Sequence, residues 1–341
     1  MKIGKKRGKR GYLPVFLLIL ALFLVVFSIR LVLSWNTPAE NPGREMAVEI
    51  PGGATFVTAA ERLHDSGVIR SVRSFVLLGK VRGLAGKIQA GELLFRTDMT
   101  PVEVLNILSS GRPISYPVTV PEGFTVKQIA ALLHVKGLAD QDRILELAED
   151  PDFAASLGVS TGRLEGFLFP DTYLFPKGLP EEDILLRMVE RFWEVYTEDM
   201  RQRARDLGMT DLQVVTFASI VERETGAEDE RTLVSAVFHN RLKRGYFLQT
   251  DPTVIYGMED FDGNLTKADL KRDHPYNTYT RSGLPPGPIA SPGKASLSAA
   301  LYPADVSYLY FVSRGDGTHV FSNSLVEHNK AVQRYQLGKG D

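Results

Sequence analysis

The first strong signal along the chain is an uninterrupted apolar run. Residues 13–27 are apolar throughout, and residues 11–29 carry no charge. Arg30 breaks the run, Leu31, Val32 and Leu33 extend it, and Trp35 stands where an interfacial aromatic belongs. Roughly 20 apolar residues suffice to span the hydrocarbon core as a helix, and an arginine near its end can snorkel to the interface. A cleavable signal peptide has an apolar region of only about 7–15 residues and ends at a small-residue site, which is not found here. The pattern predicts a retained signal-anchor helix over residues 12–34.

Beyond a Pro/Gly-containing linker at residues 35–46, the pattern becomes short and mixed. Val48, Pro51, Gly53 and Thr55 recur seventy positions later as Val118, Pro121, Gly123 and Thr125, and Ala60, Leu63, His64 and Gly67 recur as Ala130, Leu133, His134 and Gly137. Each copy predicts a strand, a Pro/Gly turn, a threonine N-cap and an amphipathic helix ending at glycine. The two histidines belong to a shared packing role on the helix flank rather than to a ligand set. Between the copies, residues 72–81 and 101–108 read as helices and residues 88–95 as a strand. Residues 48–111 resemble a LysM-like glycan-binding domain. The module is assigned to residues 47–115 and a larger region to residues 116–341, whose first part, 116–160, holds the second repeat copy.

In that larger region, residues 164–173 form an aromatic-rich turn with two carboxylates, Glu165 and Asp171. Residues 180–207 show one long helical period, with Trp193 and Tyr196 read as part of its core stripe. Residues 308–313 and 319–322 predict a hairpin, and residues 325–335 a closing helix. The fold class is α+β, with a helical core in the larger region.

Charge sharpens this picture. The chain sums to -1, but six of the first ten residues are Lys or Arg. Residues 35–341 hold 33 basic against 41 acidic side chains, a net of about -8. Basic residues preceding the span predict a cytoplasmic N-terminus (residues 1–11) and an exported remainder, on the outer side of a bacterial cytoplasmic membrane. An acidic exported part disfavours nucleic-acid binding. The absence of cysteine excludes thiolate nucleophiles, thiolate metal sites and disulfides; six scattered histidines do not point to a metal site, and no cofactor is expected.

One carboxylate stands out. Thr210 can cap a helix through residue 225, in which Val214, Phe217 and Val221 share a face. Glu224 falls on that apolar side, whereas Glu222 and Arg223 rotate outward. A carboxyl in an apolar pocket has its charged form disfavoured and its pKa raised, which suits a general acid at neutral pH. Downstream, residues 248–257, 276–279 and 283–293 are Pro/Gly loops rich in Gln, Asp, Asn, Thr and Tyr. Such loops suit a polyol substrate; held by their own side-chain hydrogen bonds, they would equally make buried turns.

The motifs Ala218–Thr225, 248–257, 276–279, 283–293 and His328-Asn329, taken together and in order, resemble the MltG (YceG-like) family of membrane-anchored endolytic murein transglycosylases. The resemblance covers nearly the whole chain; Gly52 and His274 are its small departures. It implies cleavage of the MurNAc–GlcNAc β-1,4 bond within peptidoglycan strands, leaving a 1,6-anhydro-MurNAc end, with one glutamate as acid and then base. The Glu-Thr step and the helix rotation both select Glu224, with Glu222 in reserve. Gln249, Asp251, Tyr256, Asn277 and Tyr279 are the candidates for substrate binding, and Glu165 or Asp171 would either join the cleft or hold the Phe/Pro turn. Glycan strands are the expected partner, with peptidoglycan synthases as further candidates.

Two other readings bear on the function. Ser291-Pro-Gly-Lys294 matches S-x-x-K, but Pro-Gly breaks the required helical turn and the S-D-N and K-T-G partners do not occur. A non-catalytic, membrane-anchored glycan-binding scaffold of the wall-synthesis machinery fits the repeat and the module equally well. The two classes part on whether Glu224 lines a cleft with the loops carrying Gln249 and Asn277.

Overall fold

The computed structural model describes residues 12–338; the basic segment 1–11 lies outside them. The apolar run forms α1 (Tyr12–Trp35), whose 24 residues would extend about 36 Å. Its Leu13–Trp35 stretch has a mean hydropathy of 3.0, with no buried residue in its apolar window, and is long and apolar enough to cross a membrane. At its end, Asn36 Nδ2 and Thr37 Oγ1 donate to the carbonyls of Val32 and Leu33 (2.8 and 2.7 Å), satisfying groups that the last turn leaves open.

The chain divides into two compact units, residues 1–116 with 176–179 and residues 117–175 with 180–341. In the first, β1 (Glu45–Ile50) pairs antiparallel with β2 (Gly91–Arg96), Glu45 opposite Arg96 and Ile50 opposite Gly91. Alternate strand residues Val48, Ile50, Leu93 and Phe95 point inward. They pack on α2 (Phe56–Asp65), α3 (Val72–Val81) and α4 (Pro101–Ser110). The Phe56 ring stacks on Phe75 at 5.6 Å and lies so close to Gly79 that a Cβ there would meet it at 2.3 Å. The linker is tied down: Glu40 and Arg44 both bond to Thr97, which is fully buried at the end of β2.

The second copy of the repeat opens the second unit. It runs from β3 (Ser115–Thr119) to α5 (Val126–Val135), and β3 pairs with β4 (Thr172–Pro176). Thr55 and Thr125 cap their helices through side-chain oxygens, and Gly67 and Gly137 end them at positive φ of 73° and 64°. Leu63 and Leu133 are fully buried. His64 and His134 are exposed, so the repeated histidines do not pack as expected; they fall on the solvent side of the last turn.

After α6 (Gln141–Ala148) and α7 (Pro151–Ser156), the expected single helix over 180–207 is two: α8 (Glu181–Val195) and α9 (Glu198–Asp206). The break has a local cause. The Thr197 hydroxyl caps α9 by accepting from Met200 N–H, and buried Tyr196 is held through its hydroxyl to Asp211 at 3.1 Å. Trp193 donates to the Leu157 carbonyl (3.1 Å), so both aromatics serve packing.

At the centre lies α10 (Asp211–Glu224), started by a Thr210/Gln213 capping box. All residues from Val214 to Val221 are buried, so it is enclosed on every side rather than amphipathic. It contacts α11 (Arg231–Lys243) and α13 (Lys294–Leu301). A short helix, α12 (Asp251–Tyr256), replaces part of the expected loop at 248–257. The chain closes with the hairpin β5 (Tyr310–Ser313) and β6 (His319–Ser322) and with α14 (Leu325–Tyr335).

Candidate active site

Glu224 is the last residue of α10; Thr225 is already extended at φ −139°, and its buried side chain turns the chain away. A carboxylate at a helix C-terminus meets the negative end of the backbone dipole, where a base is the usual occupant. Here it opens on a cleft of about 460 Å³ lined by Glu224, Arg241, Gln249, Asp251, Tyr279, His319 and His328, among others.

Beside the cleft lies a buried cluster of threonines. The Thr250 hydroxyl donates to Glu224 Oε1. Thr250 is itself held by its N–H to Thr278 Oγ1 (3.1 Å) and by its carbonyl, which accepts from Thr253 Oγ1 (2.8 Å). The Thr253 and Thr278 hydroxyls are 2.9 Å apart, and all three residues are buried. Gln249 sits just before Thr250 at φ 51°, in the left-handed region that a non-glycine residue seldom adopts. The Tyr279 hydroxyl donates to Asp251 at 2.6 Å.

Burial pushes the Glu224 carboxyl up to about 7, and the neighbouring Asp251 adds to the rise; the Thr250 hydroxyl, His319 and Arg241 oppose it. Arg241 is held by the carbonyls of Leu309 (2.7 Å, from Nε) and Leu248 (2.6 Å, from Nη1), and burial lowers its pKa. His328 is likewise lowered by burial and then by Arg241, and its ring stacks on Tyr310 at 5.3 Å. The result is a carboxyl that holds its proton well above the ordinary carboxylate range, facing basic and amide groups across a polar cleft.

Glu224, Gln249, Asp251 and Tyr279 are thus brought together. Asn277 is not among them. It is buried, and its Nδ2 donates to the carbonyls of Asp269, Leu270 and Arg272 while its Oδ1 accepts from Tyr279 N–H at 2.9 Å. With those bonds made it has little left for a ligand, and it acts by fixing the loop that carries Tyr279. Tyr256 is also elsewhere: its hydroxyl donates to Glu165 (3.2 Å) beside a separate cavity of about 560 Å³ lined by His274 and Tyr276. Asp171 is paired with Arg191 at 2.7 Å.

Glu222 is rotated away from Glu224 but does not face solvent. Its side chain is 7% exposed, accepts from Gly293 N–H (3.0 Å) and lies 3.9 Å from Arg231, because α10 is enclosed all round. Arg241, Thr250, His319 and His328 line or support the cleft without having been singled out from sequence. Thr250 and His328 lie inside the motifs quoted above, whereas Arg241 and His319 give no local signal. Among the described residues, no group of three or more His, Asp or Glu side chains is placed to hold a metal.

Residues 48–334 match the model of the YceG-like family. A Bacillus subtilis (strain 168) protein named endolytic murein transglycosylase is 33% identical, the match covering 86% of each chain. A Streptococcus pneumoniae (strain R6) protein of the same name is 26% identical over 97% of this chain and 66% of its own length. The crystal structure of a yceG-like protein from Listeria monocytogenes is similar with a TM-score of 0.59 and 32% identity, covering 84% of this chain and 98% of that one. This chain belongs to the YceG-like family.

Proposed function

We propose that the protein is a membrane-anchored endolytic murein transglycosylase, cutting the MurNAc–GlcNAc β-1,4 bond inside peptidoglycan strands with Glu224 as its acid and base. The names of its relatives support the reaction class. The observation that carries the choice of residue is a carboxyl raised to about 7 and open to a polar cleft. Protonated Glu224 donates to the glycosidic oxygen as the C1–O4 bond breaks. The muramoyl 6-hydroxyl then attacks C1, forming C1–O6, and its proton returns to the Glu224 carboxylate. One group therefore gives and regains one proton, and no water-activating second carboxylate is required, unlike hydrolytic glycosidases. Gln249, Asp251 and Tyr279 present amide, carboxylate and phenol to the sugar hydroxyls.

In the same reading, α1 is a single-pass anchor with the basic segment on the cytoplasmic side. The strand–helix–helix–strand of the first unit is a LysM-like module that holds glycan, and residues 116–341 form the catalytic region. Digestion of purified peptidoglycan with mass analysis of strand ends tests the reading. The native protein should release anhydro-MurNAc ends, and Glu224→Gln should lower that rate about 10²- to 10⁴-fold, the usual contribution of a general acid. Absence of anhydro ends with the native protein would favour the glycan-binding scaffold instead.

A further inference from the structure

Glu230 stands at the N-cap position of α11 yet makes no side-chain cap for it. Both of its carboxylate oxygens go instead to one residue eighty-nine positions away. Oε1 accepts from the His319 backbone N–H (2.9 Å), and Oε2 lies 2.7 Å from His319 Nδ1. The pair is nearly closed to solvent, the side chains being 12% and 14% exposed. The His319 ring is fixed further by the Phe311 ring, which meets it edge-on at 5.4 Å. With Nδ1–H given to Glu230, the remaining polar atom of the ring is Nε2. Among the described residues Nε2 has no hydrogen-bond partner, and it is not sealed from solvent; His319 is part of the wall of the Glu224 cleft.

We infer that His319 is a further substrate-contacting residue of this site, its Nε2 hydrogen-bonding to a hydroxyl of the glycan, and that Glu230 is the positioning residue that sets its aim. An acid that orients an imidazole through one nitrogen leaves the other with a defined role. A hairpin fastener would need only the backbone contact that Glu230 Oε1 already makes. The second contact, through the ring, is the one that fixes where Nε2 points. The inference rests on the transglycosylase reading of Glu224.

Two isosteres separate the roles. In His319→Asn the side-chain amide can replace Nδ1 and keep the bond to Glu230, but nothing reaches the position of Nε2. In His319→Gln the amide reaches that position and gives up the bond to Glu230. The full chain in detergent is assayed for anhydro-MurNAc ends on soluble glycan strands, and retention of those strands is measured in the Glu224→Gln background. His319→Asn should unfold at the native temperature yet lose about tenfold or more in rate. It should also weaken retention, with His319→Gln partly restoring both. A native rate and native retention for His319→Asn, or the reverse order of the two variants, overturns the inference. A native rate for Glu224→Gln overturns the underlying reading instead, and the two failures are told apart by which variant stays active.

Discussion

Replacing Glu224 by glutamine should lower activity about 10²- to 10⁴-fold while making the second unit more stable at high pH. In the folded chain the Glu224 carboxyl titrates at about 7 against an ordinary value of 4.5. Between those values the folded state holds a proton that the unfolded chain has released, so stability falls as pH rises through this window. Above it, the full cost of ionising a buried carboxyl is in place, about 3 kcal/mol at most and about 2 kcal/mol after allowance for solvent reaching the cleft. Below pH 4 both states are protonated and the cost vanishes. Glutamine has nearly the same shape, can accept from Thr250, and carries no charge to bury. Urea unfolding in micelles, in a Trp35→Phe background, leaves Trp193 as the one tryptophan and reports the second unit. The expected gain for Glu224→Gln is about 2–3 kcal/mol at pH 8, shrinking toward zero at pH 4. A variant no more stable than its parent at pH 8, or a gain that does not change with pH, would refute the idea that burial of this carboxyl raises its pKa.

Two further substitutions test the supports of the site. Thr250→Val removes the hydroxyl that favours the charged form of Glu224, so the acid should stay protonated to higher pH and the alkaline limb of the pH–rate profile should move upward; an unmoved or lowered limb contradicts the assignment. Asn277→Ala leaves three carbonyls and the Tyr279 N–H without their partner and should cost about 3 kcal/mol, seen as a fall in Tm of roughly 6–12 °C. If its Tm is native and only glycan retention drops, Asn277 is a ligand group after all.

What sequence could and could not disclose follows from the range of the forces involved. Threonine caps, glycine ends and apolar spacing act within one or two turns, so α2, α3, α5, the start of α10 and the final hairpin and helix were legible. Helical spacing put Glu224 on the side of Val214, Phe217 and Val221, but it did not disclose that α10 is enclosed all round, Glu222 included. The break between α8 and α9 was hidden because a helical period continues through it, while the Thr197 cap and the Tyr196–Asp211 bond end α8 locally. Asn277 and Tyr256 looked like ligand groups because sequence shows an amide and a phenol but not the carbonyls of 269–272 or Glu165 that engage them. Arg241 and His319 enter the cleft through tertiary contacts with Leu309, Leu248 and Glu230, none of which a local pattern encodes.

A raised carboxyl pKa alone does not identify the acid, as Glu165 demonstrates. Burial lifts it to about 7 as well. But its oxygens accept from the Val126 N–H at the start of α5 and from the Tyr256 hydroxyl, so it ties together the second repeat and α12, and a proton placed on it would compete with donors already there. Glu224 differs in its surroundings. Both carboxyls line cavities, but both Glu165 oxygens are engaged, whereas Glu224 takes the Thr250 hydroxyl on one oxygen only and shares its cleft with Gln249, Asp251 and His319. Around it, locally unfavourable choices gather: an acid at the negative end of a helix, a non-glycine residue at φ 51° and three buried threonine hydroxyls. Each costs stability or demands support elsewhere, and such violations of local preference concentrate where a fold serves chemistry. Their convergence on one carboxyl, more than its pKa, separates Glu224 from Glu165.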